Sequence, residues 1–468
     1  TDATGADVGE QHVALFRETA GRAANALVPT IEKEHACLMV KAPDGACVRA
    51  FVTSLGERAF RRPLEGAETD RFASFIETSA GRWDGRTAAR LFVTALLQHP
   101  SFVYRTELGA GSGTGKVALT PYELAAQISY GFADLPPDAE LLAAAREGKL
   151  SSAAERRAHA QRLLATESGR RKLVDFFEQL MHVKDFAGPS TSKSPTKFPE
   201  WNEDLKRSMA VETKTFVDKM LFEEGGKLPT LFSASHSYVD ERLAKLYGAS
   251  AGQGTTLAKT TLPGNRRGLL GHASVLAATS HPDSTSPAER GLVLHRTLLC
   301  QPVPTPPPGA ADQAAGKVYA PNTDYTQREH YDYAAKTAPD CIACHSAFVP
   351  YGLGLEQFDA IGRHRATEFG KTLDTRVTVE GYGDADGSYK DTLEAAARIV
   401  ESEAGQRCFV VQLGSFTAGR AVDGEAEACE VDALAKRFRD DGLGVQDLYV
   451  ALTGLESYTH RRRPGGQP

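Results

Sequence analysis

Cysteine, methionine and tryptophan are scarce in this chain, at 7, 4 and 2 of 468 residues. Seven cysteines over that length are too few for a small scaffold held together by disulfides. Long apolar runs are missing too. No stretch approaches the ~18 uninterrupted apolar residues of a membrane helix, the nearest being the interrupted segment 269–279. An excess of basic charge is also lacking: 54 Lys and Arg against 60 Asp and Glu give a net charge of −6. With no local basic stripe either, nucleic acid is excluded as an expected partner. A composition of 41% hydrophobic and 24% charged residues also excludes a disordered chain. What remains is a length suited to roughly two to four domains with packed cores.

Helical periodicity dominates what is present. Apolar stripes or helix-start signals place helices over 11–27, 48–60, 87–98, 120–128, 151–180 with an interruption near 167–169, 201–222, 289–299, 393–400 and 426–438. Thr120 before Pro121 and Glu123 has the form of an N-cap. Strand signals are sparse, the best being 376–380 ahead of a Gly-rich turn. The expected fold class is mainly α. Segment 302–309, rich in proline, can neither continue a helix nor donate ladder hydrogen bonds. It reads as an extended connector and a domain boundary, giving helical domains at 1–110 and 111–300, a further domain at 301–400 and a C-terminal helical domain at 401–468. The Ser-, Lys- and Pro-rich segment 187–199 reads as a loop over a site or on the surface. Spacing pairs Cys37 with Cys47 and Cys408 with Cys429 as expected disulfides, leaving Cys300 over; buried free thiols are the competing reading. Disulfides favour an oxidising compartment.

Cys341-Ile342-Ala343-Cys344-His345 is the one sharp chemical motif. Its spacing sets two thiols and an imidazole on one turn of helix, where two porphyrin vinyl groups are captured as thioethers and the imidazole reaches the iron. Multiplying residue frequencies over all positions gives a chance expectation of only about 0.003. A zinc site would want a second ligand pair; His364 is available, but there is no second CxxC. A thioredoxin-like dithiol would want a βαβ context, which is lacking. One covalent haem c is therefore expected, held by Cys341 and Cys344, with His345 as the axial iron ligand. Met209, on the stripe of the 201–222 helix, and His281, in a polar loop, are the two candidates for the opposite axial position. A space-filling core methionine and a surface histidine are the competing readings. His272 reads equally well as a core histidine. Arg363 and Arg365 suit the propionates because guanidinium forks match carboxylates. Pro350 is expected to orient the haem-bearing loop, its carbonyl accepting the His345 Nδ1 proton. Phe348, Tyr351 and Phe358 are candidates to shield the ring edge. The calcium-like run 384–387 lacks a third acidic position and a closing Glu, so it reads as a turn.

Downstream of the motif run Pro350, Gly352, Glu356, Phe358-Asp359 and Gly362-Arg363, and further blocks lie at 58–64, 99–105, 119–130, 198–201, 239–244, 267–291 and 408–412. On these the chain resembles the large secreted cytochrome-c-like proteins of planctomycetes and myxobacteria, catalogued mostly as consecutive domains of unknown function. The resemblance covers most of the chain. It implies export, and members often carry an additional N-terminal haem-binding segment. No second CxxCH occurs here, so that segment is expected to be absent or to lie outside this chain, which starts at Thr1.

Attachment of haem c takes place outside the cytoplasm in bacteria, so the expected location is the periplasm or cell surface. The expected function is one-electron transfer with a redox partner protein. A haem-dependent peroxidase- or oxidase-like enzyme, with an open distal site assisted by an acid or base such as Glu212, is the alternative. A third reading is a surface protein that docks a missing N-terminal segment or other cell-surface proteins.

Overall fold

The computed structural model describes residues 9–110, 115–188, 191–250, 253–303, 305, 309, 324–422 and 427–463, with the side chains of residues 340, 341 and 463 outside that description. The fold is mainly α, as expected. Its described strands are short and pair two by two in antiparallel ladders. The expected strand at 376–380 appears as Val377–Val379, paired with Gly387–Tyr389.

The chain divides into two compact units, residues 1–169 with 417–421 and 453–468, and residues 170–416 with 422–452. The four-segment division expected from the sequence is finer, and its boundaries do not coincide with this one. The proline-rich connector and the 187–199 loop lie partly outside the described residues.

In the first unit, helices Glu10–Glu34, Gly45–Phe60, Gly66–Arg82 and Gly85–Gln98 pack around Phe51, Phe92, Val48, Val52, Ile76 and Leu96. Their starts are set by short polar side chains: Asp44 accepts from the Cys47 amide at 3.0 Å and Asp84 from that of Thr87 at 2.7 Å. Thr120 and Glu123 form a reciprocal capping box at the head of Pro121–Ala133. Cys37 and Cys47 are disulfide-bonded, their Cα atoms 6.4 Å apart. The 58–64 and 99–105 blocks meet here: Arg61, in a left-handed conformation at φ 59°, donates to the carbonyls of Ser101 at 2.6 Å, Phe102 at 3.2 Å and Tyr104 at 2.9 Å.

In the second unit, Asn202 caps the long helix Glu203–Phe222, accepting from the Leu205 amide at 2.9 Å. Phe409 packs against Phe176, Phe177 and Phe438. The helix expected over 289–299 starts at Pro287 and shifts from α to π register at Val293–Leu298. Cys408 bonds Cys300 instead of Cys429, with the Cα atoms 5.4 Å apart. Cys429 is an exposed free thiol. Sequence spacing selects the nearer partner, whereas the fold returns Cys408 to the end of the π turn.

Candidate functional site

Helix Gln327–Thr337 opens with a capping box between Thr326 and Glu329 and leads into the short helix Pro339–His345, with proline where no backbone N–H is needed. That helix contains the whole CxxCH run. Cys344 is a half-buried free thiol, while the Cys341 side chain lies outside the described residues. His345 sits at the exposed end of the helix, its ring 5.2 Å from that of Phe348. Desolvation holds this imidazole below its ordinary range, towards the neutral form that can ligate.

Phe348, Val349 and Leu353 make a small apolar cluster with Leu292, Val303 and Tyr331. The helices Pro287–Leu292 and Val349–Leu353 cross tightly there. A Cβ on Gly291 would stand 2.0 Å from the Phe348 carbonyl oxygen, and one on Gly352 would stand 1.8 Å from that of Pro287. Only glycine permits that approach. On the π turn that follows, His295 is 5% exposed, its ring 6.0 Å from Phe348 and its Nδ1 without a hydrogen-bond partner. Sequence reasoning passed over His295, because a histidine inside an amphipathic helix looks like any other half-polar position.

The two arginines expected at propionates are occupied by protein carboxylates. Arg363 pairs with Glu200 and, at 3.7 Å, with Asp359. Arg365 pairs with Glu356 and Glu368, both at 2.7 Å, and donates to the Glu356 carbonyl at 2.9 Å. The centre of this arrangement is Arg290, which donates to the carbonyls of Leu355, Phe358 and Asp359 at 3.0, 2.8 and 2.7 Å and lies 3.3 Å from the Glu356 carboxylate. Thr285 donates to that carboxylate at 2.6 Å. Burial pushes the Glu356 carboxyl up, against the pull of Arg290 and Arg365. The Glu, Phe-Asp and Gly-Arg signature after the motif therefore folds its own loop. The Pro350 carbonyl accepts the Gly354 amide at 3.3 Å, a helical role in place of the expected one towards His345. Phe348 and Tyr351 are buried, and Phe358 lies under the Arg266 guanidinium, 4.5 Å from its ring centre.

Neither distal candidate is placed beside His345 by any contact in the described residues. Met209 is fully buried within helix Glu203–Phe222. His281 is exposed, and its carbonyl accepts a hydrogen bond from Lys193 Nζ at 3.0 Å. One turn from Met209, Glu212 is fully buried: one oxygen accepts the Tyr247 hydroxyl at 2.7 Å and the other has no partner. His272, also fully buried, contacts Thr213 at 2.9 Å. Burial raises the Glu212 carboxyl to about 7 and lowers His272 to about 3. Folding thus binds a proton on Glu212 between about pH 4.5 and 7, so this group's stabilisation fades as pH rises through that window. His272 acts in the opposite sense, weakening the fold as pH falls from about 6.5 towards 3. The variant Glu212→Gln should accordingly gain about 3 kcal/mol on the parent chain between pH 5 and 8. Urea unfolding at the two pH values checks this, and parallel stability curves would refute it.

Among the described residues, no cluster of three or more His, Cys, Asp or Glu could hold a metal ion, and no helix is long and apolar enough to cross a membrane. A haem c centre asks less of the protein: two thiols, one axial imidazole and an apolar setting. Cys344, His345 and the Phe348 cluster fit that demand, whereas Arg363 and Arg365 do not fit the propionate role.

Fold and site together define a mainly α protein that sets a CxxCH helix beside a compact, arginine-clamped loop. The comparisons agree with the expected succession of domains of unknown function: residues 47–107 match a family described as protein of unknown function (DUF1595), 119–249 one described as protein of unknown function (DUF1592), and 266–368 one described as protein of unknown function (DUF1588). The last covers both the Arg290 clamp and the CxxCH helix. No curated protein and no solved structure matches the chain.

Proposed function

We propose that this chain is a monohaem c-type cytochrome that passes single electrons to a partner protein in the periplasm or at the cell surface. The observation that carries the reading is the confinement of the whole CxxCH run to one short helix, with His345 at its exposed end against Phe348. When bound, haem c supplies an iron that changes oxidation state by one electron. The chain's part is to hold the thiols and imidazole at helical spacing and to wall off one side with Phe348, Val349 and Leu353. The two disulfides support an oxidising location. Association with other surface proteins belongs to the same proposal. The enzymatic alternative has less behind it, because Glu212, its candidate acid or base, is fully buried and hydrogen-bonded to Tyr247.

The test is the mass of the denatured chain after expression with a haem c attachment system. The expected result is the polypeptide plus one haem, colour that survives denaturation, and loss of both in Cys341→Ala/Cys344→Ala. A bare polypeptide mass for the parent chain refutes the proposal.

A further inference from the structure

The geometry points to His295 as the second axial ligand, opposite His345, an inference that rests on the haem c reading above. Among the described residues, His295 shares an aromatic neighbour with the motif: Phe348 lies 5.2 Å from the His345 ring and 6.0 Å from the His295 ring. It is 5% exposed, and its Nδ1 has no hydrogen-bond partner. Unpaired polar groups in such surroundings are costly and rarely kept without a use. A neutral imidazole binds iron through either nitrogen, and a carbonyl near the other nitrogen fixes the tautomer.

The backbone points the same way. His295 lies on the π turn Val293–Leu298, and single π turns inside α-helices recur at functional sites because they re-aim one side chain. Both ends of that turn are pinned. The Gly291–Gly352 crossing fixes its entry, and the Cys300–Cys408 disulfide lies just beyond its exit. The Gln301 amide also closes back on the His295 carbonyl at 3.0 Å. Met209 and His281 share none of these features.

The experiment compares the haem-loaded full chain with His295→Gln, His295→Ala, His281→Ala and Met209→Leu by visible and electron paramagnetic resonance spectroscopy. Low-spin iron is expected for the parent chain, His281→Ala and Met209→Leu. Both His295 variants should retain covalent haem, lose the low-spin signature and bind cyanide, and added imidazole should restore low spin in His295→Ala. Full haem with an unchanged low-spin spectrum in either variant overturns the inference. Near-infrared magnetic circular dichroism of the parent chain decides the question even where the variants do not fold. A bis-histidine band supports His295, and a His/Met band or high-spin iron excludes it. Absence of covalent haem from the parent chain is a different failure, that of the CxxCH reading itself.

Discussion

Replacing Arg290 with methionine is expected to destabilise the second unit by about 3 kcal/mol, the low end of the cost of removing one partner from a buried ion pair, since Arg365 still faces the Glu356 carboxylate. The Arg290 side chain is fully buried and that of Glu356 is 3% exposed. One guanidinium satisfies the carbonyls of Leu355, Phe358 and Asp359 while facing the Glu356 carboxylate. Its removal takes the side-chain donor from the Phe358 carbonyl, leaves the Leu355 and Asp359 carbonyls with one backbone donor each, the amides of Phe358 and Gly362, and leaves Arg365 and Thr285 as the remaining partners of that carboxylate. Buried acceptors that lose their donors cost about 1–3 kcal/mol each before relaxation. The double variant Arg290→Met/Glu356→Gln should recover part of the loss, since no uncompensated charge is then buried. Denaturant unfolding monitored by circular dichroism measures both. A loss below about 1 kcal/mol for the single variant would remove the clamp from the account of this loop.

The second large effect concerns the disulfide between residues 108 apart. Cys300→Ser/Cys408→Ser should lose roughly 4–5 kcal/mol, because a loop of that size gives the reduced unfolded chain much more freedom. The bond encloses the CxxCH helix and anchors the segment after the π turn, so its loss should also raise proteolytic cleavage within 301–407. Cys429→Ser is the contrasting variant: this thiol is exposed and free, so a change within about 0.5 kcal/mol is expected. A large loss in Cys429→Ser with none in the double variant would restore the Cys408–Cys429 pairing. Thermal unfolding with and without reductant, alongside peptide mapping under non-reducing conditions, separates the two outcomes.

Much of the helical framework was legible because its causes are local. Thr120 with Glu123 announces a helix start to its own neighbours, and the apolar stripe over 87–98 repeats with the helical period whatever packs upon it. Cys37 and Cys47 stand ten residues apart across a turn, so chain length alone brings them close. Cys300 and Cys408 carry no such signal, since the connectivity of distant cysteines does not follow from spacing. Arg363 and Arg365 were read as carboxylate binders for a propionate; the protein carboxylates they meet were not foreseen, since Glu200 reaches Arg363 only in the folded chain and Glu356 reaches Arg365 only through the turn between them. His295 was missed for a related reason. A one-residue change from α to π register leaves no mark in an apolar pattern, yet it decides where that imidazole faces.

By itself the sequence determined the mainly α class, most helix starts and the CxxCH run, all written in residues within a few turns of one another. Tertiary structure alone decided which cysteine meets Cys408, which carboxylates take Arg290, Arg363 and Arg365, and which histidine shares Phe348 with His345. Cys300 with Cys408, Arg290 with Glu356, Arg363 with Glu200, and His295 with Phe348 all lie far apart along the chain, and only the packed core brings them within hydrogen-bonding and van der Waals range.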